Sequence, residues 1–475
     1  MSGSAVEASG VTRARRIEPI TVGVVALVAV WLARFGVRPV SDPDAWLHLR
    51  IGSFLNDGGT FVERPDPWSS GSTYTYVPTQ WLSERLGAAS YQVFGGLGGV
   101  AALRSVGIVL LLATLWYAMR GVADREPAGL AMITAMVGST AAMAERPQLL
   151  SLAIFSLFVG AWFRTLHDNR ARWWLVPTMW LWACVHGLRV VGLALSVCFV
   201  AAAALDRRRV DRRLVTLLAL LLLAVAVTPL GPRLLLSPLR VAGSASGLVS
   251  EWQALSTANP LLLLSLVPGV VTALIWWRGP RPAWSRILLL AVAVGASFTM
   301  ARLVVVGGIL MSILMAEALQ TLRRVPRVTP TGREIVTVST LAITSAVAVG
   351  LTAILTEREP ASSVPTALAQ PLSSERAGSI VLAEHGLTGW LMWTAPDLKY
   401  VVDLRAEIFT PETIEHYADA LAGRPGWTAF VDDQDVALMV LGKESPLLAQ
   451  LDPGTWELRG ANGEYVLLRR TVAPQ

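Results

Sequence analysis

Charged residues are scarce in this chain. They make up 16% of its 475 residues, against about 25% in soluble domains. The net charge of +6 comes from arginine runs between apolar segments. It therefore reports membrane topology and not nucleic-acid binding. Cysteine is nearly absent. Cys184 and Cys198 both lie in apolar stretches, where a thiol acts as a small hydrophobe, so neither a disulfide framework nor a zinc site is indicated. No small-residue cleavage site follows Arg13, Arg15, Arg16 and the first apolar run, which points to a retained span. Internal repeats and low-complexity tracts are also missing, apart from a Pro/Ser-rich linker, "EPASSVPTALAQPLSS".

What remains is apolar. The chain is 53% hydrophobic, with 18 tryptophans and a mean hydropathy of +0.52. Its length suits about three soluble domains, but the hydropathy indicates a mainly α, polytopic membrane protein. A spanning helix needs about 20 mostly apolar residues. Eleven segments approach this: 19–37, 102–119, 128–145, 148–164, 173–186, 188–205, 214–230, 260–277, 285–300, 303–320 and 335–355. Splitting 173–205 into two passes puts every arginine-rich connector on one side, as the positive-inside rule requires. The expected organisation is a cytoplasmic tail (1–18), a membrane domain (19–357) with an outer loop at 38–101, and an extracytoplasmic α/β domain (358–475). In the last of these, strand-like runs such as "VALMVLG" alternate with helix-like stretches at 411–422 and 444–451.

The outer connectors then hold Asp42, Asp44, His48, Glu84, Arg146, His186, Arg189, Arg233, Glu251 and Arg302, while the inner face has little beyond arginine. Topology rules explain arginine inside. They do not explain carboxylate, histidine and arginine together outside. The stretch "SDPDAWLHLRIG" begins this set. Asp42 before Pro43 is a helix-start signal. Asp44 falls in the first turn, where the helix dipole favours an anion. It is four residues before His48, so the two share a face of what reads as an amphipathic interfacial helix. An ionisable pair there is costly unless it binds something. It could ligate a metal, but two ligands do not specify one.

A resemblance joins these pieces. Asp44, Trp46, His48 and Leu49, then Asp66, Pro67 and Ser69, then Trp81, Leu82 and Glu84 resemble the first outer loop of the GT-C class of polytopic glycosyltransferases. More narrowly they are similar to a group of bacterial membrane proteins with an Asp-x-Trp-Trp-His-Leu motif. "ERPQLLS", "LWACVHG", "TPLGPRLL", "SEWQAL", "ARLVVVG" and "GLTGWLMWTAPDLKYVVDLRAEIF" match later pieces. Leu47 stands where the group has a second tryptophan, and Ala183-Cys184 replaces Ala-Asn.

The resemblance implies an inverting glycosyltransferase at the outer face of a bacterial cytoplasmic membrane. The donor would be a polyprenyl-phosphate-linked sugar, and the acceptor an extracytoplasmic glycan, lipid or protein. Asp44 is the expected general base, with Asp42 second and His48 and Glu84 beside them. Arg146, Arg189, Arg233 and Arg302 are expected phosphate ligands, with Arg104 a weaker one and His186 and Glu251 also in the pocket. A divalent metal is allowed but not required. Asp403 and Arg405 form an ion pair within the tail or touch substrate. The alternative is a non-catalytic relative that binds a polyprenyl lipid or scaffolds an envelope assembly. A transporter would need polar groups near the midplane, and these spans are apolar at their centres. An enzyme needs an open cavity joining Asp44, His48 and the arginines; a scaffold would pair those charges and leave none.

Overall fold

The computed structural model describes residues 19–61, 66–235, 253–323, 327–356 and 364–471. Helices occupy all eleven segments expected to span. These are α1 (Pro19–Trp31, continuing as a π turn to Gly36), α4 (Leu97–Arg120), α5 (Arg125–Gly138), α6 (Pro147–Asp168), α7 (Leu175–Val185), α8 (Arg189–Arg207), α9 (Arg212–Ala226), α10 (Pro260–Arg278), α11 (Trp284–Thr299), α12 (Ala301–Leu322) and α13 (Gly332–Leu355). Six of them, α4, α6, α8, α10, α12 and α13, are long and apolar enough to cross a membrane. The other five are α-helical for 11 to 16 residues, short of the length needed to cross a bilayer core upright. The chain is a multi-pass membrane protein, but a count of eleven spans does not follow from its helix lengths.

Local sequence sets the helix ends. Proline occupies the first turn of α6 and α10, where its missing N–H costs nothing. The Asn259 side chain caps α10 by accepting from Leu261 N at 2.9 Å. The segment 173–205 does break in two, with His186 extended at φ −165° and ψ 154° between α7 and α8. Arg104, expected as a weak phosphate ligand, is sealed inside the bundle. It pairs with Glu145 and donates to the carbonyl of Gly36 at 3.0 Å, so it tethers the end of the first span to α4.

Two shorter helices fill the first loop: α2 (Pro43–Asn56) and α3 (Trp81–Val93). The expected interfacial helix over α2 is not amphipathic in place. Trp46, Leu47, Leu49 and Ile51 are all buried, because α3 covers one side and a helix of the tail, α15 (His385–Thr394), covers another. Gly389 of α15 permits that contact. A Cβ there would sit 2.7 Å from the Pro43 carbonyl oxygen.

The tail begins with the short α14 (Ala369–Ser373) and then builds one sheet, with α15, α16 (Pro411–Leu421) and α17 (Trp427–Asp433) around it. Its strands are β1 (Ile380–Ala383), β2 (Lys399–Tyr400), β3 (Val436–Gly442), β4 (Trp456–Ala461) and β5 (Tyr465–Arg470), in the order β2-β1-β3-β5-β4. β1 runs parallel to β2 and β3, while β5 is antiparallel to β3 and β4. β3 is a continuous apolar run because it is central and buried on both faces. The helix expected at 444–451 is only a 3₁₀ turn at Leu448–Gln450. Conversely, α15 matches neither of the helix-like stretches expected in the tail, because its apolar residues carry no helical periodicity that separates them from β1. The first loop adds to this sheet. Tyr400 N donates to the Trp68 carbonyl at 2.8 Å, and Ser70 N donates to the Tyr400 carbonyl at 2.9 Å. Loop, α4 start and tail share one apolar core, from Val40 and Trp46 through Ala101 to Leu467.

Candidate functional site

Asp42 is the N-cap of α2. Its carboxylate accepts from Asp44 N at 3.0 Å, as Ser/Thr/Asp/Asn caps do. Its other oxygen receives Arg146 Nε at 2.6 Å. Burial pushes the Asp42 pKa up, and Arg146 only partly offsets this. Asp44 is less enclosed and lies 3.3 Å from another nitrogen of Arg146. One guanidinium at the start of α6 therefore bridges both carboxylates.

His48 does not pair with Asp44 as the four-residue spacing suggested. Its Nδ1 lies 3.1 Å from Glu84 Oε1. The reason is close helix packing. A Cβ at residue 52 would come within 2.0 Å of the Glu84 carbonyl oxygen, so Gly52 is what lets α3 lie against α2. Glu84 is buried, and its second oxygen has no hydrogen-bond partner among the described residues.

Asp44, His48, Arg146, His186, Arg189 and Arg302 line one cavity of about 340 Å³. Three of its walls are helix starts: Arg146-Pro147 at α6, Arg189 at α8 and Arg302 at α12. Each presents the positive end of a helix dipole. Apolar side chains, Val190, Val191, Met300 and Leu303, line the cavity beside Arg189 and Arg302. Arg189 is buried and donates to the carbonyl of Leu234 at 2.8 Å. The His186 ring accepts at Nδ1 from Leu188 N at 3.1 Å, which leaves the proton on Nε2. Burial, with Arg302 nearby, holds the His186 pKa well below the usual histidine range. The ring is therefore neutral, with one N–H to offer.

The tail supplies the rest. Leu404, Arg405, Ala406 and Glu407 line the same cavity. Arg405 is locked. It donates to both oxygens of Asp66 at 2.8 and 3.0 Å and to Asp403 at 2.6 to 3.2 Å. Its guanidinium sits 5.0 to 5.7 Å from the rings of Trp68, Tyr76 and Phe61, within cation–π range. Ser69 Oγ donates to Asp403 at 2.5 Å. Burial alone would raise the Asp403 pKa, but Arg405 and Ser69 bring it below the ordinary carboxylate value. Asp403 and Arg405 thus form the ion pair read from sequence, and Asp66 of the first loop completes it. Sequence reasoning missed Glu407 altogether, because no motif or spacing distinguishes it from a surface carboxylate.

Two expected residues lie elsewhere. Arg233 is exposed and is not among the described residues that line the cavity. Glu251 falls outside the described residues. Among the described residues no three of His, Cys, Asp and Glu converge as a metal site; Asp42, Asp44 and His48 face arginine and glutamate partners instead.

No family model matches the sequence, and no curated protein matches it. Solved structures do share the fold. The apo oligosaccharyltransferase of Archaeoglobus fulgidus superposes with a TM-score of 0.58 at 12% identity, over 89% of this chain and 69% of that one. ArnT from Cupriavidus metallidurans gives 0.55 in the apo state at 16% identity, over 94% of this chain and 97% of its own. The same ArnT with bound undecaprenyl phosphate gives 0.54 at 15% identity. Both proteins are glycosyltransferases of the GT-C type, and the chain has their fold.

Proposed function

We propose that this protein is a glycosyltransferase that moves a sugar from a polyprenyl-phosphate donor to an acceptor outside the membrane. The single observation that carries the proposal is the cavity that gathers Asp44, His48, Arg146, His186, Arg189 and Arg302 from four separate segments. Its arginines and helix N-termini suit a phosphate that gains charge as it leaves. Its apolar flank suits an isoprenoid chain. ArnT, of the same fold, binds undecaprenyl phosphate.

In this mechanism an acceptor oxygen attacks the anomeric carbon from the face opposite the phosphate. The new C–O bond forms as the C–O(phosphate) bond breaks, which inverts the centre. Asp44 takes the acceptor proton, and polyprenyl phosphate departs held by arginine and by the His186 N–H. Asp44 suits the role better than Asp42, because it lines the cavity while Asp42 is committed to the helix cap. The arginine-rich connectors favour an outer-facing cavity at the cytoplasmic membrane of a bacterium.

A second reading has one observation in its favour. Arg146 pairs with both Asp42 and Asp44, as a non-catalytic scaffold would arrange them. The open cavity weighs against it. Transfer of label from radiolabelled polyprenyl-phosphate sugars, compared between wild type, Asp44→Asn and Asp42→Asn, separates the two. Label reaching an acceptor in wild type and not in Asp44→Asn supports the enzyme. Undecaprenyl phosphate binding with no transfer by any of the three supports the scaffold.

A further inference from the structure

The polar lining of the cavity is of two kinds. The membrane helices contribute cations. Beside Asp44, His48 and the locked Arg405, the first loop and the tail contribute Tyr76, Thr79, Gln80 and Glu407. These are neutral hydrogen-bonding groups and one carboxyl, which would repel a phosphate and suit hydroxyl groups. The Gln80 side-chain oxygen is buried without a hydrogen-bond partner among the described residues, a group that asks for a donor.

Glu407 has the most unusual position. It sits in the 3₁₀ turn Ala406–Ile408, two residues beyond Arg405. That turn is fixed by the Arg405 pairs with Asp66 and Asp403, and by Thr73 N and Tyr74 N, which both donate to the Ile408 carbonyl at 2.8 Å. Arg405 is already matched by two carboxylates. No other side chain hydrogen-bonds to the Glu407 carboxyl among the described residues, yet Glu407 opens on the cavity.

Resting on the glycosyl-transfer reading above, we infer that Glu407 and Gln80 form the acceptor half of the site, which holds a hydroxyl-bearing acceptor, the end of a glycan, against the tail. Burial raises the Glu407 pKa, offset only in part by its own backbone N–H and by Arg405. A carboxyl that holds its proton more tightly can both donate and accept, as a sugar hydroxyl does. The tail is then part of the site wall, and the acceptor approaches along it while the donor enters from lipid.

Footprinting of the full-length protein in lipid nanodiscs tests this. Phenylglyoxal reports arginine and a carbodiimide reports carboxyls, each with and without undecaprenyl phosphate. The expected result is at least fivefold protection of Arg302, Glu407 labelling unchanged within twofold, and undecaprenyl phosphate affinity of Glu407→Gln within twofold of wild type. Protection of Glu407, or a fivefold loss of affinity in Glu407→Gln, would place it in the donor half and overturn the inference. A failure of undecaprenyl phosphate to bind at all overturns the glycosyl-transfer reading and this inference with it. A second arm uses labelled donor with a detergent extract of bacterial envelope as acceptor. Glu407→Gln should raise the half-saturating amount of extract about tenfold and leave that of donor unchanged. Equal effects on both would show a structural role and reject the assignment.

Discussion

Arg405 and Asp66 stand 339 positions apart in the chain and are joined by two parallel hydrogen bonds of 2.8 and 3.0 Å. The pair fastens the tail to the first loop at the edge of the cavity. It is bidentate, buried, and enclosed by aromatic rings, the geometry in which arginine cannot be exchanged for lysine without loss.

Removing Arg405 leaves Asp66 and Asp403 buried without their cation. Arg405→Ala is expected to cost about 3–5 kcal/mol, seen as a fall in thermal unfolding temperature in nanodiscs. Arg405→Gln combined with Asp66→Asn should recover part of the loss. The pH dependence has a definite sign. The folded pKa of Asp403 is depressed, so its contribution is complete above its unfolded value of about 4 and is lost as pH falls through the folded value. A wild-type melting temperature that rises on acidification below about pH 4 would contradict this role.

The two first-loop carboxylates should separate cleanly. Asp44→Asn is expected to reduce transfer by about 10²–10⁴-fold, the range of a lost general base, while undecaprenyl phosphate still binds. Asp42→Asn removes an ion pair but keeps a capping oxygen, so it should lower stability by about 1 kcal/mol and retain more activity than Asp44→Asn. Equal activity in the two variants would reject Asp44 as the base.

Placement of the arginines yields a third test. A charged hydrogen bond is worth about 1.5–3 kcal/mol, so Arg302→Gln should weaken undecaprenyl phosphate binding roughly tenfold to a hundredfold. Arg233→Gln should leave it unchanged, since Arg233 is exposed away from the described lining. Titration of the two variants in parallel decides the point, and similar losses in both would count against the cavity as the phosphate site.

Gly52 is expected to tolerate nothing larger. Its added Cβ would meet the Glu84 carbonyl at 2.0 Å, so Gly52→Ala must push α3 away from α2 at a cost of about 1–3 kcal/mol. The His48–Glu84 contact should open as well. Increased carbodiimide labelling of Glu84, together with a lower unfolding temperature, checks both effects.

Much of this site was legible because its residues are chemically out of place. Aspartate, histidine and arginine at the ends of apolar helices stand out against lipid, and Asp44, His48, Arg146, His186, Arg189 and Arg302 all reached one cavity. The break at His186 was legible from charge sidedness alone. What escaped was pairing. Spacing joined His48 to Asp44, but a glycine three-dimensional in its effect, Gly52, gave His48 to Glu84 instead. Helix faces were misjudged for α2, since no sequence pattern reveals that α15, more than 300 residues later, will cover it. Glu407 gave no signal, because its significance lies in the turn that Arg405 pins and not in its neighbours along the chain.

The loop-to-tail seam also sets an order of assembly. During synthesis the first loop leaves the ribosome hundreds of residues before β2 and Arg405. Until they arrive, Trp68 and Ser70 lack their backbone partner Tyr400, Asp66 lacks Arg405, and one wall of the cavity does not exist. Contacts of such long sequence separation form late. A nascent chain therefore holds its membrane helices while the chamber between them still lacks the wall formed by Leu404–Glu407. The cavity is complete only once the tail has been made, so a chain that stops before Leu404 keeps its helices but lacks one wall of the chamber.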